Sequence, residues 1–213
     1  MLLGLSLKLF WRELKSGQLS IMFFALVLAV ATVSSISLFT DRLEKALLAE
    51  TQEFLGGDLK FESNDLIEDI PYEEIQKLKL KSTEMVLFAS MLASGDNLQL
   101  ASVKAVDQNY PLVGGVELRS ESKNIYVKRP PDLGQVWLDL RLMDILKLEV
   151  GQTVSIGDAD FIVSHSILSE PDRASNSFAF APKAIINAQD LEKTNVVQPG
   201  SRVRFSTVYL GEK

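Results

Sequence analysis

LSIMFFALVLAVATVSSISLF, residues 19–39, is the stretch that decides what kind of protein this chain can be. It lies within a run of 25 residues, 16–40, that contains no charged side chain. An α-helix rises about 1.5 Å per residue, so about 20 apolar residues are enough to cross the roughly 30 Å hydrocarbon core of a bilayer. The sequence therefore predicts a transmembrane helix over residues 19–40, followed by sequence of the soluble type.

Charge is distributed unevenly on the two sides of this stretch. Residues 1–40 carry a net charge of +2, and residues 41–213 carry −8. Basic residues before a membrane span predict a cytoplasmic N-terminus and an exported remainder. The acidic exported part lacks the clustered Lys and Arg that nucleic acid binding needs. The chain has no cysteine, which excludes disulfides and thiolate metal sites.

The apolar stretch could also be a cleaved signal peptide, because Ala29-Val30-Ala31 is a small-x-small triplet with a possible cleavage site at Ala31. Two features favour a retained anchor. The apolar character continues to Phe39, and no helix breaker separates the stretch from the residues after it. We therefore favour a membrane anchor.

The segment before the span, residues 1–18, is amphipathic and predicted to be cytoplasmic. One interpretation is an interfacial helix with its basic residues at the level of the lipid headgroups. The other is a docking element that presents Arg12, Glu13 and Lys15 to a cytoplasmic partner. The residues alone favour the interfacial helix.

After the span, the sequence predicts a helical stalk over residues 41–57. Leu43, Leu47 and Phe54 fall on one helical stripe, and Gly56-Gly57 supplies a C-cap. The periodicity and turn residues beyond it predict an α+β fold in two parts. The first part, 58–110, has a strand at 58–63, a helix at 71–81, and a hairpin of 84–93 with 98–106. The second part, 111–213, is β-rich. An irregular connection over 108–135, with one strand near 124–128, leads into it. The predicted elements after this connection are a strand at 136–139, a short helix at 141–148, a tight hairpin over 153–164 and a strand at 201–209.

The chain shows little that resembles catalytic chemistry. It has no P-loop motif, no G-x-S-x-G elbow and no grouping of metal ligands, so we expect no catalytic residue, cofactor or bound metal. His165, the sole histidine, is expected at the surface or in a hydrogen-bonded core position.

Two polar clusters, 170–173 and 199–202, allow two interpretations. The carboxylates of Glu170 and Asp172 could form an acid/base pair. We favour a structured loop in which Arg173 or Arg202 pairs with one of them. Four apolar residues lie nearby in sequence: Phe178, Phe180, Ile185 and Ile186. We expect them in the core rather than on a surface that contacts lipid or a partner protein.

Six motifs in a fixed order resemble one known family. They are Gly56-Gly-Asp-Leu59, Tyr110-Pro-Leu112, Val136-Trp-Leu-Asp139, Leu146-Lys-Leu-Glu-Val-Gly151, Glu170-Pro-Asp-Arg173 and Gln198-Pro-Gly-Ser-Arg-Val203. With the basic N-terminal segment, the span and the stalk, they resemble the FtsX/MacB-like ABC-transporter permeases, in the YbbP-like, lysophospholipase-associated branch. The resemblance covers nearly the whole chain.

The resemblance implies a non-catalytic subunit of the bacterial inner membrane with residues 41–213 in the periplasm. It implies a separate cytoplasmic ABC ATPase as partner, together with further permease helices or a second permease copy, and lipid or hydrophobic cargo. It also leads us to expect that the chain is an N-terminal portion of a longer permease. The alternatives are a single-pass anchored module that recruits periplasmic proteins, and an exported hydrolase, which the missing nucleophile–base set disfavours.

Overall fold

The structure, a computed structural model, describes residues 11–12, 17–64, 80–120, 123–172, 181–198 and 200–211. The chain divides into two compact units, Met1–Glu50 and Thr51–Lys213.

The first unit contains most of α1, a helix that spans Gln18–Leu55. Its segment Ser20–Gln52 is long and apolar enough to cross a membrane, judged by length and composition. The hydroxyl groups of Thr32 and Thr40 donate to helix carbonyls four residues back, at 2.7 and 3.0 Å. Such internal bonds satisfy polar groups that would otherwise lie unpaired in hydrocarbon. The predicted N-terminal apolar helix is confirmed.

The second unit is organised around one sheet. Its strands among the described residues are β1 (Leu59–Ser63), β2 (Lys81–Ser94), β3 (Asn97–Val106), β4 (Val116–Ser120), β5 (Lys123–Val127), β6 (Gln135–Asp139), β7 (Thr153–Ile156), β8 (Ala159–Ser169), β9 (Lys183–Asn187) and β10 (Val203–Leu210). They pair in the order β1-β10-β2-β3-β9-β6-β8-β4-β5. The β3–β9 and β6–β8 pairs are parallel, and the other pairs are antiparallel.

Strand β7 closes part of this sheet into a ring. It pairs with β2 on one side and with β8 on the other. The strands β2, β3, β9, β6, β8 and β7 therefore form a closed barrel, whose interior holds side chains from alternate positions of each strand. In β3, for example, Ala101, Val103 and Ala105 contribute to this inner core.

A short helix, α2 (Leu140–Leu146), packs on the inner core through Leu142, Met143 and Leu146. The carboxylate of Asp139 caps its N-terminus by accepting a hydrogen bond from the backbone of Arg141 at 2.8 Å. Two short 3₁₀ helices, Ala188–Asp190 and Glu192–Thr194, follow β9.

A second core lies on the outer side of the barrel. It unites side chains from the other face of the strands with residues that precede β4, and its members are Met85, Leu87, Val106, Tyr110, Val116, Leu118, Trp137, Ile167, Ile185 and Val208. Strands from both sides of residue 110 pair with each other, for example β3 with β9. The division into parts 58–110 and 111–213 stays a prediction.

The α+β fold class is confirmed. Strands are present with shifted ends at the positions predicted, 58–63, 84–93, 98–106, 124–128, 136–139, 161–164 and 201–209, and with the predicted ends at 153–156. The predicted helix at 141–148 is α2. The prediction of a largely irregular connection over 108–135 is wrong in part, because this region also contains β4. Strand β9 is not among the predicted elements, although Ile185 and Ile186 are buried as expected. Residues 71–79 of the predicted helix lie outside the described residues, and Lys81 begins β2.

Candidate functional site: the end of the long helix and a buried charge cluster

The C-terminal end of α1 is seated on the sheet within the second unit. Gly56 follows the helix with φ +76°, a value that glycine adopts at little cost. A Cβ atom on Gly56 would lie 2.8 Å from Cβ of Asp172. A Cβ on Gly57 would overlap Cγ1 of Val208. Only glycine allows the chain to approach the sheet this closely, which explains the Gly-Gly pair.

Hydrogen bonds of Asp58 hold the same segment to the end of β10. Its backbone N–H donates to the carbonyl of Tyr209 at 2.9 Å. Its carboxylate accepts from the backbone N–H of Gly211 at 2.9 Å and from the side chain of Gln52 at 2.5 Å. We call the residues Gln52, Gly56, Gly57, Asp58 and Gly211 the joint. The joint connects the last turn of α1 to strand β10 through both backbone and side chains.

A cluster of charged side chains is buried beside the joint. Nζ of Lys104 lies 2.8 Å from Oε2 of Glu170 and 2.9 Å from Oδ2 of Asp172. Nζ of Lys183 contacts the other oxygen of Glu170, Oε1. The hydroxyl of Tyr110 donates to Oδ1 of Asp172 at 2.9 Å. These five residues, the charge cluster, combine two cations with two carboxylates.

The topology explains how these residues meet. Residues alternate between the two faces of a strand, so Lys104 points away from the inner core that Val103 and Ala105 enter. Strand β9 lies parallel beside β3, with Lys183 opposite Ser102. Glu170 directly follows β8. Three elements that are distant in sequence therefore bring opposite charges to one place.

Burial makes this cluster energetically demanding. Lys104, Glu170 and Asp172 are 5%, 6% and 2% exposed. Burial by itself would lower the pKa of Lys104, but the charges of Asp172 and Glu170 outweigh it and raise that pKa. Burial would raise the pKa of Glu170, but Lys104 and Lys183 outweigh it and lower that pKa. Both groups are therefore held in their charged forms.

All the groups around Tyr110 raise the pKa of its hydroxyl. Burial, the charges of Asp172 and Glu170, and the hydrogen bond to Asp172 raise the pKa of its hydroxyl well above 10. The phenol is a neutral donor at physiological pH. Its ring also lies under Nζ of Lys104, 5.6 Å from the ring centroid.

The cluster adds two lysines to the predicted ion pairs. Glu170 and Asp172 are joined by Lys104, and Glu170 also by Lys183. The predicted pairing with Arg173 or Arg202 stays a prediction. Arg173 lies outside the described residues. The signal that identifies Lys104 is its position as the only charged residue in the apolar run 100–106. A buried strand tolerates such a lysine only with a carboxylate partner.

The arrangement suits a structural role better than catalysis. Each carboxylate of the cluster is already bonded to a lysine, so neither is available as a general base or as a metal ligand. Among the described residues, no group of three or more His, Asp or Glu side chains could hold a metal ion.

His165 lies away from this cluster, on β8 opposite Trp137. Their rings meet edge to face, with 6.3 Å between centroids. Nδ1 of His165 is buried and makes no hydrogen bond within the described structure. Burial, together with the positive charge of Arg129, lowers the pKa of His165. Within the described structure, the histidine takes part in a packing contact with Trp137.

The remaining predicted residues are only partly described. Arg12 lies in a helical segment with an exposed side chain, and Glu13 and Lys15 lie outside the described residues, so their proposed partner contact stays a prediction. Phe178, Phe180 and Pro199 also lie outside the described residues.

No family model matches the chain. In sequence, the chain is similar to a protein of Escherichia coli (strain K12) named as the uncharacterized ABC transporter permease YbbP. The two are 39% identical over 204 residues, which is 96% of this chain and 25% of the relative. The chain thus spans about a quarter of the length of this curated relative. The predicted resemblance to ABC-transporter permeases is confirmed.

Two solved structures are similar in fold. One is the extracellular domain of the noncanonic ABC-type transporter YknZ from Gram-positive bacteria, with TM-score 0.46 and 10% identity, over 73% of this chain and 84% of that one. The other is the periplasmic region of MacB from Actinobacillus actinomycetemcomitans, with TM-score 0.46 and 16% identity, over 72% of this chain and 74% of that one.

Proposed function

We propose that this chain forms the N-terminal membrane-anchored part of a permease in an ABC-type transport or mechanotransmission system. The single observation that carries the proposal is the 39% identity to a named ABC transporter permease along 96% of the chain. The apolar segment Ser20–Gln52 supports it, because a permease needs an anchor in the bilayer.

Nucleotide hydrolysis is assigned to a separate cytoplasmic ATPase. An ABC system needs a P-loop to bind the phosphates of ATP, and the resemblance to FtsX/MacB-like permeases implies that a partner subunit carries it. In this proposal Arg12, Glu13 and Lys15 lie on the cytoplasmic side and contact the ATPase or its coupling surface. Residues 41–213 lie in the periplasm, as the charge difference across the span favours.

The joint gives the proposal a mechanical basis. Helix α1 spans Gln18–Leu55 without interruption, and its last turn is bonded to the end of β10 through Asp58. A displacement of the helix end would therefore reach the sheet directly. We assign lipid or hydrophobic cargo to the system because the resemblance to FtsX/MacB-like permeases implies it.

Co-purification tests the proposal. The permease that contains this chain is extracted from membranes with mild detergent and captured by an affinity tag. We expect a P-loop ATPase to be captured in a stoichiometric amount. Reversing the charges with Arg12→Glu and Lys15→Glu should reduce capture several-fold. Arg42→Glu is the matched control because Arg42 is also exposed but lies after the apolar stretch.

An anchored recruitment module would give a different result. It would capture periplasmic proteins but no ATPase. Recovery of the tagged permease without any P-loop ATPase would therefore reject the transport proposal.

A further inference from the structure

The segment Glu170–Asp172 contributes two carboxylates to the charge cluster and also lies against the end of α1. Its Asp172 side chain reaches Lys104 and Tyr110 on one side. On the other side, Asp172 lies so close to Gly56 that a Cβ atom on Gly56 would be only 2.8 Å from the Cβ of Asp172. The segment is thus placed between the sheet and the helix end.

The backbone of this segment has an uncommon conformation. Asp172 has φ +58°, in the left-handed region, which Asp adopts more often than most residues with a side chain but less readily than glycine. Such conformations persist when the surrounding contacts determine them. The bonds from Lys104 at 2.9 Å and from Tyr110 at 2.9 Å to the two carboxylate oxygens of Asp172 are contacts of this kind.

Lys104 also fixes the other end of the segment. Its Nζ lies 2.8 Å from Glu170, so one ammonium group bonds both carboxylates, two positions apart in the chain. Lys104 itself lies in the middle of β3, which pairs along its length with β2 and, from Ser102 onward, with β9. The cation is therefore attached to the most extensively paired part of the sheet.

We propose that Lys104 is a positioning residue that clasps segment Glu170–Asp172 against Gly56 and thereby fixes the end of α1 on the sheet. The clasp is built from contacts within the second unit alone. Its use in transmitting movement rests on the proposed function. Removing the charge of Lys104 takes away the cation that Glu170 and Asp172 share, so the segment should move toward water and release the joint.

Hydrogen exchange of the full chain in lipid nanodiscs tests the clasp. The reporters are the backbone amides of Asp58 and Gly211, which are both hydrogen bonded across the joint. With Lys104→Met, exchange at these two amides should rise on the order of 100-fold, as expected when a buried charge loses its partner and a local opening becomes easier. Exchange in α2 and in the β7–β8 hairpin should stay within about threefold of the wild-type rate.

A matched control removes a different lysine from a buried carboxylate. Nζ of Lys193 lies 2.6 Å from the carboxylate of Asp190. Asp190 is fully buried, and both residues belong to the 3₁₀ helices that follow β9. Lys193→Met should leave the exchange of Asp58 and Gly211 unchanged. This control separates a specific effect on the joint from the general cost of an unpaired carboxylate.

A neutral variant keeps the test decisive if Lys104→Met alone unfolds the chain. Lys104→Met combined with Asp172→Asn removes one cation and one carboxylate together, keeps the ion pair of Glu170 with Lys183 and should restore folding, while the joint still exchanges at least tenfold faster than in the wild type. The clasp is rejected if this variant exchanges at the wild-type rate, or if Lys104→Met raises exchange equally at the joint and in α2. Neither of these results affects the capture of an ATPase. The proposed function is therefore tested separately from the clasp.

Discussion

The buried carboxylate of Glu170 makes the stability of the chain depend on pH. Its pKa is lowered in the folded chain, so the unfolded chain binds protons more readily in acid. Its contribution to the free energy of unfolding is therefore present above the unfolded pKa of about 4.5 and is lost as the pH falls through the lower folded value. For Lys104, with a raised pKa, the contribution is complete below about 10.5 and is lost at higher pH.

Between about pH 5 and 10 we therefore expect the contribution of this cluster to the free energy of unfolding not to change with pH. Below pH 4.5 the wild type should lose stability more steeply than Glu170→Gln, which has no carboxylate to protonate at this position. Urea unfolding followed by circular dichroism at pH 3 to 8 measures this difference. Parallel curves for the two proteins in acid would contradict the assigned ion pairs.

The joint glycine allows a second prediction at this scale. Gly56→Ala combines a left-handed backbone with a Cβ 2.8 Å from Asp172, and we expect a loss of about 2–4 kcal/mol in the free energy of unfolding. Gly95→Ala is the control, because Gly95 has φ +55° but open space around it, and only the backbone cost of about 1–2 kcal/mol is expected. Equal losses in the two variants would show that the close approach at Gly56 does not matter.

The sequence could identify the glycines of the joint but not the partners of the charge cluster. Gly56-Gly57 is recognisable because a helix stripe ends just before it. Lys104 and Glu170 are 66 positions apart, on β3 and directly after β8, and these two strands are separated in the sheet by β9 and β6. A local pattern contains no information about such a placement, and so the two lysines are not among the predicted partners of Glu170 and Asp172.

At the scale of elements, α1 is tested by changing its apolar surface. Leu26→Arg with Val30→Arg should block membrane insertion, because each central arginine costs about 2.5–3.5 kcal/mol on the insertion scale. The two side chains are 64% and 57% exposed in the structure, so the change does not disturb packing within the described chain. Membrane fractionation measures the result. Leu98→Arg with Leu100→Arg, on the exposed part of β3, is the control and should leave fractionation unchanged.

Helix α2 is tested by comparing its buried and exposed faces. Leu142 is fully buried in the inner core, and Leu142→Ala should cost about 2–5 kcal/mol in the free energy of unfolding. Ile145 is 44% exposed, and Ile145→Ala should cost less than about 1 kcal/mol. Denaturant titration compares the two variants, and similar losses would contradict the position of the helix at the barrel.

Element types were more predictable than element connections. The hairpin of β2 and β3 is encoded locally by alternation and by the turn at Gly95. Strand β4 is hard to predict because it directly follows Gly114-Gly115, a pair typical of turns. The ring closure through β7 depends on two residues, Leu92 and Ala93, that pair with β7 while the first half of β2 pairs with β10. No sequence pattern predicts that change of partner.

All the described strands of the second unit belong to one sheet. Strand β10 lies between β1 and β2, so the last described strand is bonded to the strand that directly follows the joint. Both ends of the second unit therefore meet at the joint, where Asp58 bonds Tyr209 and Gly211. In the proposed permease, movement of α1 would act on both ends together.

Nucleotide-dependent hydrogen exchange tests this account most directly. The permease that contains this chain is reconstituted with its co-purified ATPase, and exchange at the amides of Asp58 and Gly211 is compared without nucleotide and with a trapped ATP analogue. We predict that exchange at these amides changes at least tenfold between the two states, while exchange in α2 does not change. Identical exchange at the joint in both states would contradict mechanical coupling through it.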